Sequence, residues 1–443
     1  MNYLLKDATV LTMNAKREIL PKADVIIRDG RISEIGENLT ARPGEFIQRL
    51  DLNGRLLMPG LVQAHVHLCQ SIFRGQAEDM DLTEWMEERI WPLEAAHSLD
   101  TLHASARLGI AELVLGGTTT CLDMGTVHHT EAIFEAAKEV GFRLFCGKSM
   151  MDAGKGRPGP MRENTRESLA EAERVKKVWH GSENGRLRYA YAPRYVLSCT
   201  EELLVEVVGR ARDSGCLLHT HASENTAEIE QVREKHGTDN VAYLYDLGLT
   251  GHDVVLAHCV WLTAREMKLL KESETRVAHC PTSNLKLASG VAKLPELIDQ
   301  QIHLALGSDA AACNNSLDMF QEMRLAALLP KHRSGVKAVP AQKVVELATI
   351  GGAEALGVGR DVGSVEVGKK ADLIALDLDS PHLRPRHDPY TMLVYSARAS
   401  DVQHVMIDGD LVVKDRDLIP IDLGVIVEDA DKALAKVLRR AEL

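Results

Sequence analysis

Eight short apolar runs of β type recur between residues 61 and 310, and segments with helical periodicity separate them. The runs are LVQAHVHL (61–68), TTTCLDMG (118–125), RLFCGKSMM (143–151), LRYAYAPRY (187–195), CLLHTHAS (216–223), DVVLAHCV (253–260), RVAHCPTS (276–283) and HLALGSDA (303–310). Stretches such as TEAIFEAAKEVG and TEELLVEVVGRARDSG repeat apolar residues at helical spacing between them. A helix inserted between two strands returns the chain to the same edge, so the strands run parallel. Eight repeats predict a (β/α)8 TIM barrel, with a doubly wound open sheet as the alternative of the same pattern. The flanks read differently. ADVIIRDGRISEIGE near the start, and DLIALDL and DVQHVMIDGDLVVKDRDL near the end, are short alternating segments broken at Asp-Gly turns. The expected organisation is a small β-rich domain shared by residues 1–56 and 363–443, the latter ending in a helix, around a barrel over 57–362. The stretch GKGRPGPMREN (154–164) is expected to be a mobile lid after the third strand.

Barrel enzymes gather their working residues at the carboxyl ends of the strands. Read in order, those ends offer His65 and His67, Arg194, His219 and His221 with Glu224 just beyond, His258, His279 and Asp309. Residues i and i+2 of a strand share a face, so His65 and His67 converge on one point. One such pair is weak evidence, because histidines at a strand end are often satisfied by hydrogen bonds. Nitrogen and carboxylate donors at several independent strand ends point instead to a metal centre. Three imidazoles and one carboxylate leave a position for water on a divalent ion and lower the water's pKa toward about 7. No lysine ends the fourth run, AYAPRY, so a bridging carbamate has no candidate and one ion is expected. His219 is read as a barrel-interior residue one layer deeper than His221. His279 is read as a pocket wall or core histidine. The segment NNSLDM (314–319) is expected either to form a loop over the site or to cap the next helix.

A formal net charge of −12 argues against nucleic acid as a partner, because binding a polyanion needs a basic face. Charges at Lys6 and Asp7 interrupt any secretory apolar core, and no segment supplies the roughly 20 apolar residues of a membrane span. The expectation is a cytoplasmic protein without membrane association. Eight cysteines without a C-x-x-C pair suggest reduced core thiols, not a zinc ribbon or a disulfide framework.

The motifs MPGLVQAHVHL, THASE and LAHCVWL, together with the flanking ATVLTMN and GSVEVGKKADLIALDL, resemble the amidohydrolase superfamily. The resemblance covers essentially the whole chain and points to the branch of cytosine, guanine and adenosine-type deaminases that also contains the triazine hydrolases. It implies that His65, His67, His221 and Asp309 bind one divalent ion, zinc first, with iron or manganese acceptable. It further implies that His258 orients or helps deprotonate the water, that Glu224 shuttles the proton, and that the protein is a homo-oligomer acting on a small purine-type substrate. Glutamate three residues beyond a ligand suits that task, since the ring nitrogen beside the attacked carbon must be protonated before an amine departs.

Two sets of motifs bear on the substrate. FRGQAEDMDLTEWM and WPLEAAH, with Trp85 and Glu94, resemble deaminases of 5′-modified adenosines: 5′-deoxyadenosine, methylthioadenosine or S-adenosylhomocysteine. In that branch the residue matching Glu94 holds the ribose hydroxyls, and a histidine commonly stands where this chain has Arg194. HLCQ and APRYVLSCT resemble guanine deaminases, in which Gln70 and Arg194 would hold the ring. The expected activity is deamination of a 5′-modified adenosine, with guanine or another oxopurine, a triazine, or a non-catalytic metal-containing scaffold as alternatives.

Overall fold

The computed structural model describes residues 1–443. All eight expected strands are present: β1 (Leu61–Val66), β2 (Thr118–Asp123), β3 (Arg143–Cys146), β4 (Leu187–Pro193), β5 (Leu217–Ala222), β6 (Val254–His258), β7 (Arg276–His279) and β8 (His303–Leu306). Each pairs in parallel with the next in chain order. The observed strands stop short of the sequence runs at their carboxyl ends. That is where His67, Arg194 and Asp309 leave the sheet ladder.

The sheet closes between its last and first strands. Val66 bridges Asp309 in parallel, and the Asp309 N–H donates to the His65 carbonyl at 3.1 Å. Contact this close requires glycine at the end of β8, since a Cβ on Gly307 would stand 2.7 Å from the His65 carbonyl oxygen and 2.9 Å from its nitrogen. An open doubly wound sheet is thereby excluded.

A second sheet, largely antiparallel, is built from both ends of the chain. Tyr3–Leu11, Ile19–Arg28, Arg31–Gly36 and Leu56–Pro59 supply one half, and Leu373–Leu376, Val402–Ile407, Asp410–Lys414 and Asp417–Leu418 the other. The seam is Leu56–Pro59, which pairs with Leu373–Leu376 immediately before the chain enters β1. The helix Leu423–Ala441 does not stay with this sheet. Its Ala430, Ala433 and Val437 pack with Ile72, Phe73 and Ala104 of the barrel periphery. All eight cysteines are free and buried.

The segment after β3 lies beside the barrel mouth, where Met161 packs with Trp91, Val127 and Met151. A buried ion pair, Lys148 Nζ to Glu163 at 2.6 Å, ties its far end to the barrel.

Arg143, the first residue of β3, joins the two sheets. Its guanidinium donates to both carboxylate oxygens of Asp372 at 2.7 and 2.9 Å and to Asp408 at 3.3 Å. Arg143 and Asp372 are both buried, so removing either partner strands a charge away from water. Arg143→Ala is therefore expected to cost about 3–5 kcal/mol of stability, read as a lowered midpoint in denaturant unfolding.

Candidate metal centre and catalytic cavity

Donors from four strand ends meet at one point. His65 Nε2 lies 3.3 Å and His67 Nε2 3.5 Å from Asp309 Oδ1, and His67 Nε2 is 3.2 Å from His221 Nε2. His258 joins His65 and His221 in a second group close enough to share an ion. Two of these residues hold a left-handed backbone that non-glycine residues seldom adopt, His258 at φ 72° and Asp309 at φ 62°. Such strain is characteristic of sites where the direction of a side chain matters.

The proton inventory shows whether these residues suit a cation. His221 Nδ1 lies 2.7 Å from the Arg194 carbonyl, which only accepts, so that nitrogen carries the hydrogen and Nε2 presents a lone pair. His258 Nδ1 is held in the same way at 2.8 Å by Asn284 Oδ1, freeing its Nε2. His65 Nε2 is buried with no hydrogen-bond partner. Burial pushes the imidazoles of His65 and His67 toward the neutral form, which is the form that ligates. Unpaired lone pairs facing one carboxylate in a buried space fit a divalent cation and little else.

Glu224 stands beside the cluster, 3.6 Å from His258 Nε2, and accepts a hydrogen bond from Ser289 Oγ at 3.2 Å. Burial pushes its carboxyl up, which keeps protonation within reach. Glu228 lies behind it. Its carboxylate accepts from the Glu224 N–H at 2.9 Å and from Asn240 Nδ2 at 2.6 Å, and burial pushes it up to about 7. Sequence reasoning missed Glu228, along with Ser283, which donates to Asp309 Oδ2 at 2.6 Å, and the pair Asn284 and Ser289. The only signal was the run PTSN after His279.

A cavity opens over the cluster. His67, His221, Glu224, His258 and Asp309 form its floor, and Gln70, Trp85 and Arg194 are among its walls. Trp85 sits on a helical segment, Leu82–Ala95, whose middle turn is π-helical, with the Trp91 N–H bonded to the Met86 carbonyl. The buried indole nitrogens of Trp85 and Trp91, both cavity residues, have no partner.

Glu94 does not line the cavity. It is buried next to two wall residues, where it takes both terminal nitrogens of Arg194 at 2.6 and 3.2 Å and Gln70 Nε2 at 2.7 Å. Because a carboxylate only accepts, the Gln70 amide is fixed with its NH2 toward Glu94. Its Oε1 is left buried and unpartnered. His279 is buried, its imidazole pushed down to about 4 by burial, and stands outside both ligand groups. In the segment 314–319, Asp318 caps the next helix and Asn314 bonds to the Ser308 carbonyl, so the capping alternative holds.

Residues 56–412 match the Amidohydrolase family. This chain belongs to that family. Among its relatives, a 5′-deoxyadenosine deaminase of Methanosarcina acetivorans is 36% identical over 441 residues, 99% of each chain. A 5-methylthioadenosine/S-adenosylhomocysteine deaminase of Halobacterium salinarum is 40% identical over 395 residues, 89% of this chain and 90% of the other. A crystal structure of an adenosine deaminase from Xanthomonas campestris with bound zinc superposes with a TM-score of 0.92 at 31% identity, covering 99% of this chain and 98% of that one. The family and the zinc-bound relative suggest a divalent metal, and the grouped histidines and Asp309 could hold one. Replacing His67 or Asp309 with Ala is expected to abolish stoichiometric metal binding, since either loss leaves too few donors. Elemental analysis of the purified variants checks this, and full occupancy in both would contradict it.

Proposed function

We propose that this amidohydrolase deaminates 5′-modified adenosines such as 5′-deoxyadenosine, methylthioadenosine or S-adenosylhomocysteine, giving the inosine analogue and ammonia. The observation that carries the reading is similarity along the full chain to enzymes so named, in a protein whose cavity keeps a protonatable carboxyl beside the metal donors. In this reading His65, His67, His221 and Asp309 hold one ion. Zinc is favoured by its presence in the Xanthomonas relative, although the same donors accept iron or manganese. The enzyme works in the cytoplasm as a homo-oligomer; no helix is long and apolar enough to cross a membrane.

A divalent ion held by these donors supplies Lewis-acid activation of water. The chain's own residues handle the protons. Glu224 takes a proton from the attacking water as its oxygen bonds to the amidine carbon, and returns it to the adjacent ring nitrogen. His258, whose Nδ1 is held by Asn284 and whose Nε2 lies 3.6 Å from Glu224, orients the water. The tetrahedral carbon then expels its amino group as ammonia, with a proton from the added hydroxyl, and a carbonyl remains. Ser289 fixes one oxygen of Glu224 throughout. A metal-containing scaffold would have no use for this arrangement.

The wall beside the metal donors pairs an acceptor, Gln70 Oε1, with a donor, the Arg194 guanidinium. A ribose hydroxyl satisfies both, because it donates and accepts. Glu94 then serves the sugar through these two residues. The lactam edge of an oxopurine, an N–H beside a carbonyl, satisfies them equally, and this favours guanine as a second reading. Triazines lack that edge.

Glu224→Gln is expected to retain metal and to lose about 10²- to 10⁴-fold in turnover, because an amide cannot relay the proton. For the substrate, kcat/KM for 5′-deoxyadenosine, methylthioadenosine and guanine is measured in the wild type and in Gln70→Met, which removes the acceptor and keeps the volume. The nucleosides are expected to be the better wild-type substrates. The variant is expected to lose about 1–3 kcal/mol in kcat/KM against its native substrate. Guanine turning over tenfold faster than every nucleoside would overturn the substrate while leaving the deamination chemistry in place.

A further inference from the structure

His219 has no place in the reaction above, yet it is fully buried and its ring centroid lies 4.9 Å from that of His65. It is absent from both groups of donors able to share an ion. We propose that His219 is a positioning residue for the metal centre, fixing the tautomer and ring plane of His65 through a two-imidazole relay anchored on the Val255 carbonyl. The proposal rests on the reading of His65 as a ligand.

The relay follows from which atoms can donate. His219 Nδ1 lies 2.9 Å from the Val255 carbonyl on β6, and a carbonyl only accepts, so Nδ1 carries the hydrogen. In a neutral imidazole the other nitrogen is then an acceptor. His219 Nε2 lies 2.8 Å from His65 Nδ1, so His65 Nδ1 must donate. The remaining nitrogen of His65, Nε2, is thereby obliged to present a lone pair, and it is the unpartnered atom 3.3 Å from Asp309 Oδ1. His221 and His258 reach the same tautomer by bonding directly to an oxygen. His65 does so through a second imidazole, itself anchored on the carbonyl of Val255 in the neighbouring strand β6. Outer partners of this kind hold a ligand's orientation and basicity, and their loss typically costs about 10- to 100-fold in metal affinity.

Two substitutions separate this role from simple packing. His219→Gln retains both functions, an amide oxygen to accept from His65 Nδ1 and an amide N–H to donate to Val255. His219→Leu fills similar space and retains neither. Zinc affinity is measured by competition with a chromophoric chelator, alongside thermal unfolding of the metal-free proteins. The expected result is affinity weakened about 10- to 100-fold in His219→Leu, with most of it restored in His219→Gln. A packing role would spare affinity in the leucine variant, or would lower the metal-free melting temperature most in the glutamine variant while affinity stayed unchanged; either result overturns the proposal. Should His219→Leu fail to fold, NMR of isotope-labelled histidine in the wild-type holoenzyme decides: a His219 signal protonated at Nε2 overturns the relay, and one protonated at Nδ1 alone supports it. A wild type that binds no divalent ion would instead remove the ligand reading itself.

Discussion

Closure of the barrel at β8 and β1 is the contact on which the site depends. Residues of the first and last strands, more than half the chain apart, become neighbours only because Gly307 lets the two backbones touch and the Asp309 N–H reaches the His65 carbonyl. The same step that completes the sheet brings a carboxylate to within 3.3–3.5 Å of two imidazoles. A cation that bonded to both ends would reward the geometry in which the sheet has no edge.

The donors of the cluster crowd one another. His67 Nε2 lies 3.2 Å from His221 Nε2, and the buried Asp309 carboxylate accepts from Ser283 Oγ. A divalent ion bound at such a centre would stabilise the folded state by mass action. The surrounding shell removes the remaining freedom. Arg194 shows the economy of this shell, since its carbonyl fixes His221 while its guanidinium, locked on Glu94, faces the cavity.

The architecture was legible because each strand is a short apolar run between helical periods, a signal carried by neighbouring residues alone. The floor of the site was legible for a related reason: strand ends in a parallel barrel all open to one side, so polar residues there are brought together by topology. What escaped the sequence depends on contacts between distant segments. Glu228 reads as one more acid in the first turn of the helix Thr226–His236, and only folding shows it accepting from the backbone of Glu224. The withdrawal of Glu94 behind Gln70 and Arg194 follows from side-chain pairing across the barrel mouth, which no spacing rule reports. The packing of the C-terminal helix against the barrel was hidden likewise, since its amphipathic pattern names a buried face but not the surface it meets.

The site divides into halves held by different kinds of structure. Metal donors and proton handlers sit on or just past strands whose positions are fixed by the barrel's hydrogen-bonded ladder. Trp85 and Gln70 come instead from the segments that follow β1, irregular turns and a helix interrupted by a π-turn, which no ladder constrains. On the proposed reading, changes in the second half would alter what is recognised without disturbing how water is activated. Arg194 belongs to both halves. It is the link between them, because a substitution there would release Glu94 and Gln70 on the substrate side while leaving the backbone carbonyl on His221 untouched. Specificity in this fold can therefore shift through side chains at that position at little cost to the metal centre, and the mixed adenosine-like and guanine-like wall of this chain is what such separability allows.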